Sequence, residues 1–396
     1  MQKKIIVVAL IIYLASSAIS FGVFSYFGKS KTKTASQQEQ TQEEESLLAQ
    51  LLNIDPSEPK DQVCPLNGKL YTQTEKNAWE KKRPLAVMIE NTPDSRPQSG
   101  LTDSDLVFEA IAEGGVTRFM AFFYCSAQRN DVLLAPIRSA RSYFVDWASG
   151  FNRPLYVHVG GANVPGPADA LGQISDYGWN GENDLNQFSI GYPTFVRNYN
   201  RIEGKEIATE HTMETSTERL WKVSATRGWT NMSPELGSGR KIIPPADWKD
   251  GFKGWSYLDE VPSPGNVRAI SFEFWTGYTD YAVKWEYLPE SNTYRRFLAG
   301  APHTDLNNDK QIEASNVIVL LTKEKGPIDE KKHMLYETTG TGDALIFRNG
   351  EVIKGTWMKK NREAELTFSD ERGKEVLFTR GMIWISTVDT STEVTY

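Results

Sequence analysis

Two residue types are scarce in this 396-residue chain: it has two cysteines and four histidines. Two cysteines are too few for a zinc site built from four thiolates. The chain also lacks a surplus of positive charge, because 44 Lys and Arg residues stand against 51 Asp and Glu residues, giving a formal net charge of −7. Nucleic-acid-binding proteins need a basic surface to neutralise phosphates. The composition therefore excludes nucleic acid as the expected partner.

The two cysteines are Cys64 and Cys125. Outside the cytoplasm they can pair, which would join the segment that begins at Cys64 to the strand that carries Cys125. Spacing in the sequence does not establish a disulfide. A pair of buried free thiols therefore remains the alternative.

An apolar segment without any charge occupies residues 5–27, after a short basic N-terminus at residues 1–4. As a helix it would be roughly 35 Å long, enough to span a bilayer. We predict an uncleaved signal-anchor that crosses the membrane once, with the body of the protein on the extracytoplasmic side. Lysines lie on both sides, so the positive-inside rule does not fix this orientation. A cleaved signal peptide, with Ser16 and Ala18 near the cut, is the alternative.

The rest of the chain divides by composition. Residues 28–60 are polar and poor in aromatic residues, which predicts a disordered tether. We predict an N-terminal α/β (α+β) domain at residues 61–229, with a mixed sheet flanked by helices. An irregular segment rich in Pro, Gly and Ser follows at residues 230–265, and a smaller, mostly antiparallel β domain at residues 266–396.

Short apolar runs that end in glycine, proline or charged residues predict the strands of the first domain. These runs cover residues 85–89, 105–111, 117–125, 131–137 and 154–159. The sequence SYFVDWAS at 142–149 predicts a short helix. Thr215 and Glu218 predict a capping box at the start of a later one. In the second domain, Asn349-Gly350 predicts a tight hairpin, because a type I′ turn needs positive φ at both positions.

Arginines at the ends of these runs predict an anion-binding cleft. Arg138 and Arg141 lie between a predicted strand and the helix at 142–149, where a helix N-terminus favours negative charge. Their planar guanidinium groups suit phosphate or carboxylate, and we add Arg118 to the set. Gly160 and Gly161 close the next run and permit close approach of a ligand. The alternative is that the arginines pair with acids or cover the helix.

Four residues are candidates for proton transfer or catalysis: Asp105, Glu113, His158 and His211. Asp105 or Glu113 would bind Mg²⁺ or act as a base beside a bound phosphate. The two histidines would form a proton-transfer pair. A histidine inside a strand is, however, more often a core residue with satisfied hydrogen bonds.

A second metal candidate lies in the C-terminal half. Asp305, Asn307 and Asp309 have the spacing of oxygen ligands in a calcium-binding loop. Lys310 stands where that loop has glycine, and Asn316 stands where it has a bidentate acid. The flanking runs also fit an ordinary hairpin.

Six long motifs carry a family resemblance: RPLAVMIENTPDSRPQSGL, DLVFEAIAEGGVTRFMAFF, APIRSARSYFVDWA, LYVHVGG, EHTM followed by STERLW, and GDALIFRNGEVIKGTW. The chain resembles the YerB-type family of bacterial envelope proteins over residues 83–390. This resemblance implies two domains and an extracytoplasmic setting, but no reaction. Lipoprotein members accept a lipid on a cysteine that is missing here, which implies anchoring by the helix. A fainter likeness in layout is to the LytR-CpsA-Psr phosphotransferases, which act on lipid-pyrophosphate-linked glycans.

Three functions remain open. In the first, the protein binds an anionic cell-wall polymer or lipid-linked glycan through the arginine cleft. In the second, it is a metal-assisted phosphotransferase or hydrolase, with Mg²⁺ as the expected cofactor. In the third, it is an envelope scaffold that docks partners through a sheet edge.

Overall fold

The computed structural model describes residue 52 and residues 54–238 and 241–396. The predicted membrane anchor at 5–27 and most of the predicted tether lie outside these residues. Leu52–Tyr396 forms one compact unit. Within the described part of the chain, no helix is long and apolar enough to cross a membrane.

Helices are few and short: α1 (Gln73–Trp79), α2 (Ser142–Ser149), α3 (Ala170–Asp176), α4 (Gln187–Ile190) and α5 (Thr217–Thr226). Helix α2 matches the predicted helix at 142–149. Helix α5 begins one residue later than the predicted capping box requires. Its N-cap is Ser216, whose side chain accepts a hydrogen bond from the amide of Arg219.

Strands carry most of the fold. The first half contains β1 (Lys60–Val63), β2 (Leu70–Thr72), β3 (Leu85–Glu90), β4 (Leu106–Glu113), β5 (Val116–Phe123), β6 (Leu133–Leu134), β7 (Leu155–His158), β8 (Asp184–Asn186), β9 (Val196–Arg197), β10 (Met213–Ser216) and β11 (Leu236–Ser238). The second half contains β12 (Lys241–Ile243), β13 (Ala269–Phe272), β14 (Val283–Leu288), β15 (Thr293–Leu298), β16 (Ala301–Pro302), β17 (Glu313–Ala314), β18 (Asn316–Thr322), β19 (Glu324–Lys325), β20 (Leu335–Tyr336), β21 (Gly340–Arg348), β22 (Glu351–Lys359), β23 (Thr367–Asp370) and β24 (Ile383–Asp389).

Ten strands form one mixed sheet in the order β23-β22-β21-β18-β24-β4-β5-β3-β7-β8. The two halves of the chain meet where β24 pairs in parallel with β4, and Trp384 lies opposite Val107 there. A smaller antiparallel sheet, β13-β14-β15-β16, is joined by β17 on β15. Strands β3 and β4 are almost entirely buried, so the centre of the large sheet is covered on both faces.

The predicted architecture is therefore confirmed in its coarse features, a large mixed sheet and much β structure, whereas the helices that were predicted to flank the sheet are few and short. The C-terminal half differs from the prediction in one respect. Its strands β18 and β21–β24 extend the sheet of the first half instead of forming a separate antiparallel module. The physical reason is the β24–β4 pairing, which satisfies both strands' backbone groups at the centre of the molecule. Whether residues 61–229 and 266–396 are separate folding units stays a prediction.

The predicted hairpin at Asn349-Gly350 is confirmed. It joins β21 to β22, and both turn residues have positive φ, 50° and 68°. Asparagine and glycine reach this region at low cost, which is why this dipeptide marks the turn.

A fully buried ion pair holds the small sheet against the large one. Arg296 on β15 donates to Glu109 on β4 at 2.7 Å, and neither side chain is exposed. The same carboxylate accepts from Trp384 Nε1 at 3.0 Å and from Thr117 Oγ1 at 3.1 Å. The Arg296 guanidinium also lies 4.6 Å from the centroid of the Trp384 ring, a cation–π distance.

Hydrogen bonds continue from this pair to the end of β3. Arg296 Nη1 donates to His303 Nδ1 at 2.6 Å, and His303 Nε2 donates to Gln98 Oε1 at 2.8 Å. Burial and the charge of Arg296 lower the pKa of His303 well below its usual value, consistent with a neutral ring. Gln98 then donates to the Glu90 carbonyl oxygen and to Asn91 Oδ1, each at 2.9 Å.

Removing the cation of the buried pair tests its role. We expect Arg296→Met to lower the free energy of unfolding by about 3–5 kcal/mol, because Glu109 would stay buried without a charge partner. Urea denaturation would measure this loss. The matched control is Arg295→Met, because the Arg295 side chain is 41% exposed and pairs with Glu286; this change should cost no more than about 1 kcal/mol. Equal losses in the two variants would contradict the assignment.

Candidate functional site

Four strand ends meet at one edge of the large sheet. Strands β3, β7 and β8 are mutually parallel, and β4 runs the same way because β5 pairs antiparallel with both β3 and β4. Their last residues are Glu90, Glu113, His158 and Asn186. We call this the carboxyl edge. Open α/β sheets bind ligands at such an edge.

Glu113 gathers two of the predicted arginines. Its Oε1 accepts from Arg118 Nη2 at 3.1 Å and from Arg141 Nη2 at 2.5 Å, and its Oε2 accepts from Arg141 Nε at 3.2 Å. Arg118 Nη1 also donates to the Ser139 carbonyl oxygen at 3.1 Å. Both arginine side chains are almost fully buried, at 2% and 7% exposure. The pairing with an acid that was the alternative in the sequence is present here.

The ion pairs around Glu113 keep its carboxyl group ionised and determine the net charge of the cluster. Burial alone would raise the pKa of Glu113, but Arg118 and Arg141 outweigh it and lower that pKa to about 2. Burial lowers the pKa of Arg141, and the neighbouring charge of Arg118 lowers it further. One carboxylate thus stands against two guanidinium groups, so the cluster keeps a positive surplus.

A second carboxylate holds the third arginine. Glu90, 1% exposed, accepts from Arg138 Nε at 2.9 Å through Oε1 and from His211 Nδ1 at 2.7 Å through Oε2. Arg138 is fixed further because its backbone amide donates to the Met88 carbonyl oxygen at 2.8 Å. Glu90 therefore positions Arg138 and His211 side by side.

Arg138 and His211 each keep nitrogen atoms that make no hydrogen bond. Among the described residues, the two terminal nitrogens of Arg138 and the Nε2 atom of His211 have no hydrogen-bond partner. The Arg138 side chain is 27% exposed and that of His211 is 10% exposed. A ligand that reaches this edge can therefore meet these atoms without breaking an existing hydrogen bond.

The predicted glycines lie beside the arginine turn. The Gly160 carbonyl oxygen accepts from the Ala140 amide at 2.9 Å, and Ala140 bridges to Gly161. Gly160 has a φ of 56°, and a Cβ added there would stand 2.8 Å from the ring of Phe188. That ring is 75% exposed. The exposed Phe188 ring therefore lies beside Gly160, whose carbonyl oxygen is hydrogen-bonded to Ala140.

His158 does not share in the cluster as a free base. Its Nε2 lies 2.6 Å from Asp184 Oδ1 and its Nδ1 lies 2.6 Å from the Gly160 carbonyl oxygen, and the side chain is fully buried. With both nitrogens engaged by acceptors, the ring has no nitrogen left for a substrate. The predicted pair of His158 with His211 is not formed, and His158 instead fixes the backbone at Gly160.

Of the two acids predicted as alternatives beside the arginines, Glu113 lies with them, whereas Asp105 lies at the other end of β4. Eight residue steps of extended chain separate the two acids, roughly 26 Å. Asp105 is fully buried and accepts from Asn67 Nδ2 at 2.6 Å and from the Tyr124 amide at 2.7 Å. Burial raises its pKa to about 7.

The calcium-like loop is not arranged around a cation. Asp305 is fully buried, and its carboxylate accepts from the amides of Gly100 at 3.0 Å, Thr102 at 2.8 Å and Asn307 at 2.9 Å. Asn307 Nδ2 donates to the Leu133 carbonyl oxygen. The ligand-like spacing serves to dock this hairpin onto residues 98–102.

In the described part of the chain, the acids, cysteines and histidines that could share a metal are Cys64, Asp105 and Cys125. The two sulfurs are joined in a disulfide with an S–S distance of 2.13 Å, so neither is a thiolate ligand. The alternative of two free thiols is thus not what the structure has.

The sequence interpretation missed Glu90, which holds Arg138 and His211 in place. It ends the run LAVMIE, and a charged residue at the end of a buried strand was the available signal. Arg96 also lies at this edge: its Nε donates to Asn91 Oδ1 at 3.1 Å, and its guanidinium stands over the Tyr281 ring. Asp184 was missed as well, because its partnership with His158 depends on the β7–β8 pairing.

Comparison with known families decides the membership of the chain. The family described as "Protein of unknown function (DUF3048) N-terminal domain" matches residues 70–230, and the corresponding C-terminal domain matches residues 270–385. The chain belongs to the DUF3048 family. The YerB-type resemblance of the sequence is thereby confirmed.

A curated relative and a solved structure agree. The chain is 28% identical over 334 residues to "Putative lipoprotein YerB" of Bacillus subtilis (strain 168), which covers 84% of this chain and 88% of that protein. The crystal structure of the YerB protein from Bacillus subtilis has a TM-score of 0.65 at 24% identity and covers 85% of this chain and all of the other. This second likeness shows the fold.

The Glu113 ion pairs predict a pH dependence. The pKa of this carboxyl is about 2 in the folded protein and ordinarily 4.5. Its contribution to stability should therefore be complete above about pH 4.5 and should disappear as the pH falls toward 2. Unfolding by urea at several pH values would show Glu113→Gln less stable than the parent at pH 7, with the difference shrinking between pH 4.5 and 2.

The exposed Glu371 supplies the control, since Glu371→Gln should give no such pH-dependent difference. A gap between Glu113→Gln and the parent that stays constant down to pH 2 would contradict the ion-pair interpretation.

Proposed function

We propose that this protein is a membrane-anchored envelope protein that binds an anionic cell-wall ligand, bearing phosphate or carboxylate, at the carboxyl edge. The observation that carries this proposal is the pair of unused donor nitrogens of Arg138, Nη1 and Nη2, on a guanidinium that Glu90 holds in place beside His211. Preorganised donors bind without the entropic cost of ordering long side chains.

Charge supports an anion at this edge. Arg118, Arg138 and Arg141 stand near Glu90 and Glu113, with the exposed Glu210 beside Arg138 and His211, and Arg96 adds a further positive charge at Asn91. Because Arg118 and Arg141 are committed to Glu113, we assign the direct contact with the ligand to Arg138. The exposed ring of Phe188 next to Gly160 adds a surface on which a sugar ring can stack.

The proposal also places the protein at the outer surface of the membrane. A relative is named a lipoprotein, and residues 5–27 have the length and composition of a membrane anchor. A body held at the outer membrane surface by a polar tether would meet wall polymers directly.

Removing the Arg138 guanidinium tests the binding function. We expect Arg138→Ala to weaken binding of inorganic pyrophosphate at least about tenfold, the loss of one charge-assisted contact. Titration calorimetry at low and at physiological salt would measure it. Arg372→Ala, at an exposed arginine in a turn far along the sheet, is the matched control and should bind like the parent. If the parent binds neither pyrophosphate nor polygalacturonate, the proposal fails.

A catalytic function is the second candidate, and the Glu90–His211 contact of 2.7 Å favours it. A carboxylate on Nδ1 orients the ring so that Nε2 can take a proton from an attacking water or hydroxyl. The metal-assisted form has less support, because Asp105 lies at the far edge and Glu113 is held by two arginines.

His211→Gln separates the two candidates. If the protein only binds, this variant should change the affinity for pyrophosphate less than fivefold, and no turnover of a phosphodiester or pyrophosphate substrate should occur in either protein. If it is a hydrolase or transferase, the parent should turn such a substrate over and the variant should be slower by about a hundredfold or more. Mass spectrometry of the products would distinguish these outcomes. An unchanged affinity in both Arg138→Ala and His211→Gln, without turnover, would favour the scaffold alternative.

A further inference from the structure

A buried carboxylate stands directly beside the disulfide, at the opposite edge of the sheet from the proposed ligand site. The Cys64 sulfur lies 3.9 Å from Asp105 Oδ1, and the two sulfurs and the carboxylate all lie within 4.8 Å of one another. Cys64 and Asp105 are 0% exposed, and Cys125 is 1% exposed. The anion-binding function at the other edge makes no use of this group.

The Asp105 carboxylate accepts hydrogen bonds from both segments that carry the cysteines. Asn67, three residues after Cys64, donates its side-chain amide to Oδ1 at 2.6 Å. On either side of Cys125, the amides of Tyr124 and Ser126 donate to Oδ2 at 2.7 Å and to Oδ1 at 3.1 Å. Asp105 therefore fixes the distance between the two cysteines by contacts that do not involve the sulfur atoms.

The surroundings contain no cation in contact with Asp105 among the described residues. The titratable groups around it are Cys64, Cys125, Tyr71, Tyr124 and Tyr257; a Glu75–Arg129 pair lies beyond Tyr71, and the Arg380 guanidinium lies beyond Tyr257. Burial raises the pKa of each tyrosine, and the charge of Asp105 raises it further. Asp105 is thus the group here that can accept a proton near neutral pH.

We propose that Asp105 closes the Cys64–Cys125 disulfide, as the residue that brings the two cysteines together and as the base that takes the proton of the Cys64 thiol. Because both sulfurs are buried in the finished protein, the reaction belongs to folding, while the segment Lys60–Lys69 is still undocked. A disulfide oxidant such as oxidised glutathione first reacts with Cys125, forming a mixed disulfide and releasing one glutathione.

The closing step is an intramolecular thiol–disulfide exchange. Asn67 docks on Asp105 and brings Cys64 to the mixed disulfide. The Cys64 sulfur bonds to the Cys125 sulfur, the bond between Cys125 and glutathione breaks, and the thiol proton passes to the Asp105 carboxylate. Glutathione leaves as a thiolate and is then protonated. Two cysteine thiols are oxidised, and one oxidised glutathione is reduced to two glutathiones.

The rate of disulfide closure should depend on the ionisation of Asp105 as well as on the ionisation of the thiol. In the folded protein burial raises the pKa of Asp105 to about 7; once Asn67 has docked on it and buried it in the same way, the carboxyl should be protonated below that pH and accept no proton. An ordinary thiol ionises only near pH 8.5. Closure in the parent protein should therefore gain an inflection near pH 7 in addition to the thiol titration.

The experiment follows closure in the full-length protein held in detergent micelles. The protein is reduced and unfolded in urea, then refolded with reduced and oxidised glutathione. Samples are quenched in acid, alkylated and analysed by mass spectrometry. We expect Asp105→Asn to close the mixed disulfide at least about tenfold more slowly at pH 8. It should also lack the inflection near pH 7.

Asp305→Asn is the matched control, because Asp305 is likewise fully buried and holds a loop by accepting backbone amides. It should close at the parental rate with the parental pH profile. If Asp105→Asn does not refold, Asn67→Ala replaces it: the carboxylate remains, so closure should slow while the inflection near pH 7 persists.

Three results would overturn the proposal. Asp105→Asn could close at the parental rate. It could slow closure while keeping the inflection, in which case the carboxylate only stabilises the fold. Asp305→Asn could slow closure as much, in which case any loss of stability has this effect.

Discussion

The parallel pairing of β24 with β4 is the constraint on which the rest of the structure depends. It inserts the last strand of the chain beside the first long strand of the N-terminal half and makes one sheet from both. The pairing sets Ser386 opposite Glu109, so that Trp384 reaches that carboxylate together with Arg296. A buried carboxylate would be unfavourable alone, and here each donor that compensates it comes from a different region of the chain.

The carboxyl edge follows from the same arrangement. Hydrogen bonds from the buried pair reach Gln98 and then the end of β3, where Glu90 holds Arg138 and His211. The acids at this edge act mainly as supports for the arginines. Glu113 fixes Arg118 and Arg141 and keeps them from solvent, whereas Glu90 leaves part of Arg138 open. The arginines of the edge are therefore held in fixed positions, and the part of their positive charge that solvent reaches is mainly that of Arg138.

Local chemistry made part of this structure predictable. The buried strands of the first half, the helix at 142–149 and the turn at Asn349-Gly350 each depend on the pattern of a few neighbouring residues. The partners of Arg138 and Arg141 were open in the sequence because an arginine beside a helix start looks the same whether it faces an acid or a ligand. Asp105 and Glu113 were alternatives for one role beside the arginines, and a strand of that length keeps its ends apart, so that Glu113 lies at the carboxyl edge and Asp105 at the opposite one. Pairing of β24 with β4 had no local signal.

A sheet that runs without interruption through both halves has a mechanical consequence. Two-domain binding proteins often trap a ligand by rotating one lobe toward the other about a flexible joint. Here the two family segments share backbone hydrogen bonds across β24 and β4, and such a rotation would have to break them. Capture and release of any ligand at this rim must then come from side chains and surface loops, such as the exposed turn around Phe188 and Tyr192, while the framework beneath stays rigid.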